Sequence, residues 1–157
     1  DVITLAKSLG GGFPIGALVV KRTFANILTP GTHGTTFGGS PLACAASLAV
    51  FEALEKDDLL KRTMKLGDYL SEKLIKLKSK HPIVVDVRGM ALMRGLELSI
   101  SGAKVVERCR KQGLLINCTQ ERVLRIMPPL TVSIRDINIA MRILDSALAS
   151  VSKHRAI

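Results

Sequence analysis

Lys7 is the residue near the start of the sequence whose chemistry is hardest to explain as an ordinary surface charge. It follows the apolar run "VITLA" and precedes the glycine- and proline-rich stretch "GGGFPIG" at 10–16, and no acidic residue lies between Val2 and Glu52 to pair with it. A lysine amine becomes a nucleophile when desolvation or a nearby cation keeps it neutral, and glycines let a planar ligand approach the backbone. The alternative is a lysine at a strand end that reaches water. The local sequence leaves both interpretations open.

A second stretch, residues 29–39, combines glycines with hydroxyl groups directly before a helix start. Thr32, Thr35 and Thr36 lie in it. Hydroxyls and free backbone N–H groups at such a position can hold phosphate oxygens. A hydroxyl-rich turn without a ligand is the alternative interpretation.

Arg125 is a charge inside the otherwise apolar stretch "VLRIMP". Its planar guanidinium matches a carboxylate in two hydrogen bonds. A buried arginine would need such a partner, whereas on a strand that alternates inward and outward the side chain would face water. The pattern alone leaves both possibilities open.

Length and composition indicate a globular protein with an aliphatic core. The 157 residues are 47% hydrophobic but only 3% aromatic, so Leu, Ile, Val, Ala and Met must fill the core. No apolar run reaches the roughly 20 residues of a membrane-spanning helix, and we predict no membrane partner. The formal net charge is +10, which is compatible with a basic binding module. The basic residues are spread among leucines at helical spacing, which is typical of a solvated helix face, so we predict no nucleic-acid partner.

The cysteines and histidines do not indicate a metal site. The three cysteines are widely spaced: Cys44, Cys109 and Cys118. An odd number at such spacings fits thiols in a reducing cytoplasm. The three histidines are scattered: His33, His81 and His154. They lack the spacing of metal ligands, and we expect each to be structural or exposed. The sequence therefore predicts no metal.

The sequence contains two regions with different patterns of predicted secondary structure, and these must position the candidate side chains. The first combines two short buried strands, two loops and a helix, predicted at 2–6, 17–20, 10–16, 29–39 and 41–56. Ser40 is a suitable cap for the helix, and Pro41 suits its first position.

For the second region, from about residue 58 to residue 157, the pattern predicts a compact α+β unit with a small antiparallel sheet and helices on one face. Its first helix, over about 57–78, has one apolar stripe formed by Leu66, Leu70, Leu74 and Leu77. Four strands and two further helices are predicted at 83–89, 90–98, 114–117, 123–128, 103–112 and 135–151. Gly113 marks the end of one of these helices, and Ser133 with Asp136 forms a capping box at the start of the last.

Four stretches, taken together, resemble the class III aminotransferases, which use pyridoxal 5′-phosphate: "LAKSLGGGFPIGALVV", "GTHGTTFGGSPLACAASLAV", "VRGMALMRGLEL" and "GLLINCTQERVLRIMPPLTVS". The resemblance covers essentially the whole chain. It implies an α/β protein with the fold type I of pyridoxal-phosphate-dependent transferases. Residues 1–57 would be the C-terminal part of the cofactor-binding large domain with a linker helix, and residues 58–157 the small C-terminal α+β domain. We therefore expect the C-terminal part of a longer polypeptide, inactive alone, whose parent is a cytoplasmic homodimer.

The resemblance also implies roles for individual residues. Lys7 matches the catalytic lysine that forms the internal aldimine with the cofactor. Thr36 matches the threonine that binds the cofactor phosphate across the dimer interface. Thr35 matches the neighbouring hydroxyl, usually a serine, that touches the substrate. Arg125 matches the arginine that holds a substrate carboxylate.

Within the family, the stretch from Gly113 to Leu130 implies transfer of the δ-amino group of N2-acetylornithine to 2-oxoglutarate, a step of arginine biosynthesis. Other ω-amino donors used in the class stay open as alternatives, namely ornithine, 4-aminobutyrate and succinyl-diaminopimelate. A non-catalytic basic binding module is the alternative from a different class of protein.

Overall fold

The computed structural model describes residues 1–153, and the chain divides into two compact units, residues 1–58 and 59–157. The assignment of these units to a large and a small domain stays a prediction. Within residues 1–153, no helix combines the length and the apolar character needed to cross a bilayer.

The first unit is a two-stranded hairpin followed by one helix. Strand β1 (Val2–Leu5) pairs antiparallel with strand β2 (Ala17–Val20). A 3-10 turn (Lys7–Gly10) follows β1, and a second one (Arg22–Phe24) follows β2. Helix α1 (Pro41–Lys56) ends the unit. The two strands and the helix lie where they were predicted; the two 3-10 turns were not predicted.

The predicted burial of β1 and β2 is wrong. Ile3 is 58% exposed and Leu18 is 50% exposed. An uninterrupted apolar run is typical of a strand covered on both faces. In the described part of the chain, the two strands form a sheet of their own with no further strand. The hairpin therefore presents apolar side chains to solvent.

Helix α1 begins as predicted, with Ser40 at the N-cap position and Pro41 in its first turn, but the predicted side-chain cap is wrong. The Ser40 side chain makes no capping hydrogen bond. Its backbone carbonyl accepts the Cys44 N–H at 3.0 Å, and Pro41 has no N–H that would need a partner. Within α1, Ala43 and Ser47 are the buried residues.

The second unit contains a four-stranded antiparallel sheet in the order β3–β4–β6–β5. Its strands are β3 (Val84–Met90), β4 (Met93–Leu98), β5 (Asn117–Thr119) and β6 (Val123–Ile126). The antiparallel arrangement agrees with the prediction.

Strand β5 starts later than the predicted 114–117 because the preceding residues complete a helix end. Helix α3 (Ala103–Lys111) ends in a Schellman motif, with Gly113 at a φ of 84°. The N–H of Leu114 donates to Cys109 O at 2.9 Å, and the N–H of Gly113 donates to Arg110 O at 3.1 Å. Leu114 is therefore occupied by the helix cap and cannot join the sheet.

Helices α2 (Leu59–Lys80) and α4 (Ile134–Lys153) complete the unit. Helix α2 begins at Leu59 rather than at Asp57, because Asp58 adopts a left-handed φ of 46° that separates it from α1. The predicted leucine stripe of α2 is buried. Ser133 caps α4 as predicted, because its Oγ accepts the Asp136 N–H at 3.1 Å. The Asp136 carboxylate accepts the Ser133 hydroxyl at 2.6 Å rather than the Ser133 backbone N–H of a complete capping box.

Two arginines connect the elements around the sheet. Arg62 of α2 donates to the carbonyls of Thr131 and Val132, at 3.2 and 2.8 Å, and so holds the segment between β6 and α4. Arg94 donates to the Gly67 carbonyl of α2 at 3.0 Å and also to two carbonyls of its own hairpin, those of Gly89 and Ala91. These bonds tie β4, the neighbour of the strand that carries Arg125, and the segment after β6 to helix α2.

Candidate active site

Lys7 is the first residue of the 3-10 turn that follows β1, and its φ of 55° lies in the left-handed region. This conformation is uncommon for a residue other than glycine and is often found at functional sites. Lys7 lines an open cleft of about 580 Å³ together with Ser8, Gly12, Phe13, Pro14 and Ile15. The amine therefore lies beside a loop whose backbone a ligand can approach.

The Lys7 side chain is exposed, so the structure corresponds to the alternative in which it reaches water. The neighbouring strands are themselves exposed and do not desolvate it. Among residues 1–153, no carboxylate lies within ion-pairing distance of Lys7. Gly12, with a φ of 114°, has open space where a Cβ would stand. One wall of the cleft is therefore bare backbone.

The two candidate threonines of the second loop differ in how their hydroxyls are used. Thr35 Oγ1 accepts the N–H of Gly38 at 3.2 Å. A Cβ on Gly38 would lie 2.1 Å from Thr35 Cγ2, so a larger residue there would displace the Thr35 side chain. Thr36 is exposed, and its hydroxyl has no hydrogen-bond partner among the residues that the structure describes. The Thr36 hydroxyl is therefore available to a ligand.

The structure brings some of the predicted site residues into one unit but not into one cleft. Lys7, Thr35 and Thr36 belong to the first unit, and Arg125 belongs to the second. Neither threonine is among the residues that line the Lys7 cleft. The described residues of each unit therefore form separate surroundings for Lys7, for the threonines and for Arg125.

Arg125 lies on the outer face of strand β6 and is exposed, while its neighbours Leu124 and Ile126 are buried. The alternating strand is thus the correct one of the two possibilities left open by the sequence. In the sheet register, Arg125 lies opposite Gly95 on β4 and opposite Asn117 on β5. Its Nε donates to Asn117 Oδ1 at 3.2 Å.

Asn117 was not among the site residues predicted from the sequence. The signal was available in principle, because a tight hairpin between "INCT" and "VLRI" places residues 117 and 125 opposite each other. The residue types of the turn do not indicate a tight hairpin. Gln120 and Glu121 adopt left-handed φ angles of 49° and 62°, a conformation for which glycine or asparagine would be expected.

A second arginine on the same sheet face, Arg88, shows what distinguishes Arg125. Arg88 Nη1 binds the carboxylates of Asp86, at 2.8 Å, and Glu97. The hydrogen bonds to Glu97 and Asp86 raise the pKa of Arg88, and the bond from Arg88 lowers the pKa of Asp86. Within residues 1–153, Arg125 has no such carboxylate and keeps its charge for a ligand.

The surroundings of Arg125 fit a ligand with one carboxylate and an aliphatic part. Arg125 lines an open cleft of about 400 Å³ with Leu115, Ile116, Asn117 and Met127. Leu115 is 83% exposed and Met127 is 57% exposed. A single cation between apolar walls can bind a carboxylate while the walls contact methylene groups.

The histidines and cysteines of the described residues do not form a site. No group of three or more His, Cys, Asp and Glu side chains within residues 1–153 could hold a metal ion. His33 is exposed, His81 is buried and bonds to Asp145, and His154 lies outside the described residues. All three cysteines are free thiols. Burial raises the pKa of Cys109 to about 11, which keeps that thiol unreactive.

The fold and these features define a class of enzyme. The family model described as aminotransferase class-III matches residues 1–148, and the chain belongs to this family of pyridoxal-phosphate-dependent transaminases. The residues present fit that cofactor in two respects. Lys7 offers an accessible primary amine beside bare glycine backbone, and Thr36 offers a free hydroxyl.

Individual relatives narrow the resemblance further. The chain is 46% identical, over 156 residues, to the acetylornithine aminotransferase of Methanocaldococcus jannaschii. The match covers 98% of this chain but 38% of that relative. The chain therefore spans well under half the length of the curated relatives that it matches.

Solved structures give the same fold. The chain superimposes on an ornithine aminotransferase from Toxoplasma gondii with a TM-score of 0.91 and 31% identity, covering 98% of this chain and 38% of that one. It superimposes on an acetylornithine aminotransferase from Elizabethkingia anophelis with a TM-score of 0.89 and 28% identity, covering 96% and 41%. The expected fold of pyridoxal-phosphate-dependent aminotransferases is confirmed.

Proposed function

We propose that this chain belongs to an aminotransferase that moves the δ-amino group of N2-acetylornithine to 2-oxoglutarate, as in arginine biosynthesis. The observation that supports it most directly is the position of Lys7. This residue presents an exposed amine from a left-handed backbone position, in a glycine-lined cleft, within a class III aminotransferase match. The similarity to acetylornithine aminotransferases supports the choice of donor.

Lys7 would have two tasks in this enzyme. Its Nζ would anchor the cofactor covalently, and once released it would carry a proton from the donor carbon that bears the transferred nitrogen. When bound, pyridoxal phosphate acts as the electron sink for that carbon. The turn geometry supports the role, because the left-handed conformation fixes the direction in which the Lys7 side chain leaves the backbone.

Thr36 would bind the phosphate of the cofactor held by the second subunit of a homodimer. Its hydroxyl is exposed and has no protein partner among the described residues, and it does not line the Lys7 cleft. Thr35 would contact the substrate. Its oxygen already accepts the Gly38 N–H, which leaves its O–H free to donate.

Arg125 would hold a carboxylate of the substrate. N2-acetylornithine carries one carboxylate and 2-oxoglutarate carries two, so a single arginine can bind a carboxylate in both halves of the reaction. The lack of a neighbouring carboxylate within residues 1–153 and the apolar walls of its cleft support this role.

A different ω-amino donor is the second candidate function. The similarity to the ornithine aminotransferase from Toxoplasma gondii favours ornithine as that donor. Comparison of kcat/KM for N2-acetylornithine, ornithine, 4-aminobutyrate and succinyl-diaminopimelate in the complete polypeptide separates these substrates. The proposed cytoplasmic location and homodimer are tested by cell fractionation and by light scattering of the same protein.

The role of Lys7 is tested by chemical trapping. The complete polypeptide that contains this chain is incubated with pyridoxal phosphate, reduced with borohydride, digested and analysed by mass spectrometry. We expect the pyridoxyl group on the Lys7 peptide. We also expect Lys7→Ala to lose this label and to lower transaminase turnover by about 10²- to 10⁴-fold, the contribution of a positioned acid–base group.

The matched control is Lys21→Ala, which removes an exposed lysine of the same unit that pairs with Asp1 at 2.6 Å. This variant should keep both label and turnover. A label that stays on another lysine in the Lys7 variant, with turnover intact, would contradict the proposal. If the unmodified protein showed neither label nor turnover, the basic-module interpretation would be tested by the salt dependence of nucleic-acid binding.

A further inference from the structure

We propose that Asn117 is a positioning residue for Arg125: it holds the guanidinium in place through a neutral acceptor and so keeps the charge of Arg125 available for a substrate carboxylate. This inference rests on the proposed function, in which Arg125 binds that carboxylate. It adds to the site a second residue that contacts the arginine and not the cofactor.

The contact is built into the sheet. Asn117 and Arg125 are directly paired across the β5–β6 hairpin, and Arg125 Nε donates to Asn117 Oδ1 at 3.2 Å. Nε lies on the inner edge of the guanidinium, next to the side-chain stem. A partner at Nε restrains the rotation of the group and leaves the two terminal nitrogens to bind both oxygens of a carboxylate.

On the side of Arg125 that faces β4, the paired residue has no side chain that could restrain the guanidinium. The paired residue on β4 is Gly95, and a Cβ there would lie 3.3 Å from Val123 Cγ1 and 3.8 Å from Arg88 Cγ. The row across the sheet is therefore Arg88, Gly95, Arg125, Asn117. Within it, Asn117 is the lateral side-chain partner of Arg125.

The effect of a neutral partner can be seen by comparing Arg125 with Arg88, an arginine on the same sheet face that has charged partners. Arg88 is held by two carboxylates, Asp86 and Glu97, and its charge is compensated by the protein. An aspartate at position 117 would hold Arg125 just as closely but would compete with the substrate carboxylate. An asparagine restrains the guanidinium without that competition.

The test uses two variants and two amine donors in the complete polypeptide with its cofactor. Asn117→Ala removes the restraint, and Asn117→Asp keeps an acceptor but adds a charge. The donors are N2-acetylornithine and N-acetylputrescine, the same amine without the carboxylate. We expect KM for N2-acetylornithine to rise about tenfold in Asn117→Ala and roughly 30- to 100-fold in Asn117→Asp, within the range of a charge-assisted hydrogen bond. The kcat and the cofactor absorbance spectrum should stay unchanged.

The carboxylate-free donor supplies the readout that a merely structural role would not produce. Both variants should use N-acetylputrescine with the same kcat/KM as the unmodified protein. The matched control is Thr119→Ala, two residues further along the same strand, where the hydroxyl bonds to the Val123 carbonyl and not to Arg125. It should leave the KM values for both donors within twofold.

A second measurement keeps this inference separate from the proposed function. Binding of glutarate, a dicarboxylate without a reactive carbonyl, is measured by calorimetry in the unmodified protein and in Asn117→Ala, which removes the restraint without adding a charge. Weaker binding in the variant supports the positioning role, and it does so even if the unmodified protein shows no transaminase activity, a result that overturns the proposed function alone. Equal glutarate binding, or an equal rise of KM for both donors, overturns the role of Asn117.

Discussion

The two units of this chain have similar aliphatic sequences but bury them very differently. In the described residues of the second unit, 59–153, nineteen buried residues form one core between a four-stranded sheet and three helices. In residues 1–58, the buried residues are Gly10, Ala43 and Ser47, and both strands are exposed. An apolar sequence becomes a core only where a second layer covers it.

The same difference in burial separates the elements that carry the candidate site residues. Arg125 is carried by a strand whose inner residues, Leu124 and Ile126, are buried, so its position is fixed by the second unit itself. Lys7 and Thr36 are carried by loops of a unit with little core. We therefore expect the arginine site to keep its geometry in isolation, and the lysine site to depend on further burial of β1 and β2.

The largest difference between the two units should be in cooperative unfolding when each unit is expressed alone. Residues 59–157 expressed alone should unfold cooperatively with heat, because the core lies entirely within them. Residues 1–58 alone should show no cooperative transition, since a lone strand pair is at best marginally stable in water. Circular dichroism with calorimetry measures both. A cooperative transition in residues 1–58 would break the comparison.

The second largest effect should be on the free energy of unfolding when a leucine is replaced by alanine in each unit. Leu144→Ala removes a side chain that is 0% exposed and should lower the free energy of unfolding by about 3 kcal/mol, through lost burial and a new cavity. Leu18→Ala removes one that is 50% exposed and should change it by less than about 0.5 kcal/mol. Urea unfolding of the 157-residue chain provides both values. Similar losses would mean that Leu18 is buried in solution.

The second unit was also the more predictable of the two. The leucine stripe of α2, the Gly113 stop and the Ser133–Asp136 cap are local signals, and the structure contains each of them. The burial of β1 and β2 could not be predicted in the same way. A strand pattern indicates which residues could be covered, but not whether this chain supplies the cover.

The candidate site shows the same limit. Lys7, Thr36 and Arg125 could be selected because glycine, hydroxyl and double-proline motifs surround them. The left-handed φ of Lys7 could not be predicted, because a backbone angle depends on the exact turn. Asn117 could be placed opposite Arg125 only by assuming a tight hairpin, which the turn residues Gln120 and Glu121 do not indicate. The alternation that exposes Arg125 was visible in the sequence, but the carboxylates that compensate Arg88 become evident only in the sheet register.

The smallest effect concerns acid stability and a side-chain cluster of the second unit. Asp145 Oδ2 accepts a hydrogen bond from Lys80 Nζ at 2.6 Å, and Asp145 Oδ1 lies 2.6 Å from Nε2 of the buried His81. Burial pushes the pKa of Asp145 up, but the hydrogen bonds from Lys80 and His81 outweigh it and hold this pKa below its usual range. The pair of Asp1 and Lys21 in the first unit is exposed on both sides.

A lowered pKa in the folded state means that the unfolded chain takes up the proton first as the pH falls. Asp145 therefore stabilises residues 59–157 fully above about pH 4, the usual aspartate pKa, and this contribution is lost as the pH falls through the folded value. Asp145→Asn should lower the unfolding temperature at pH 7 and reduce its decline between about pH 5 and 2. Part of that decline should remain, because Arg88 and Lys111 also lower the pKa values of the exposed Asp86 and Glu107. Asp1→Asn in the 157-residue chain should leave the pH profile unchanged, since exposed ion pairs contribute little. An unchanged acid profile in Asp145→Asn would show that the cluster is no more stabilising than the surface pair, and the two units would then differ in their cores alone.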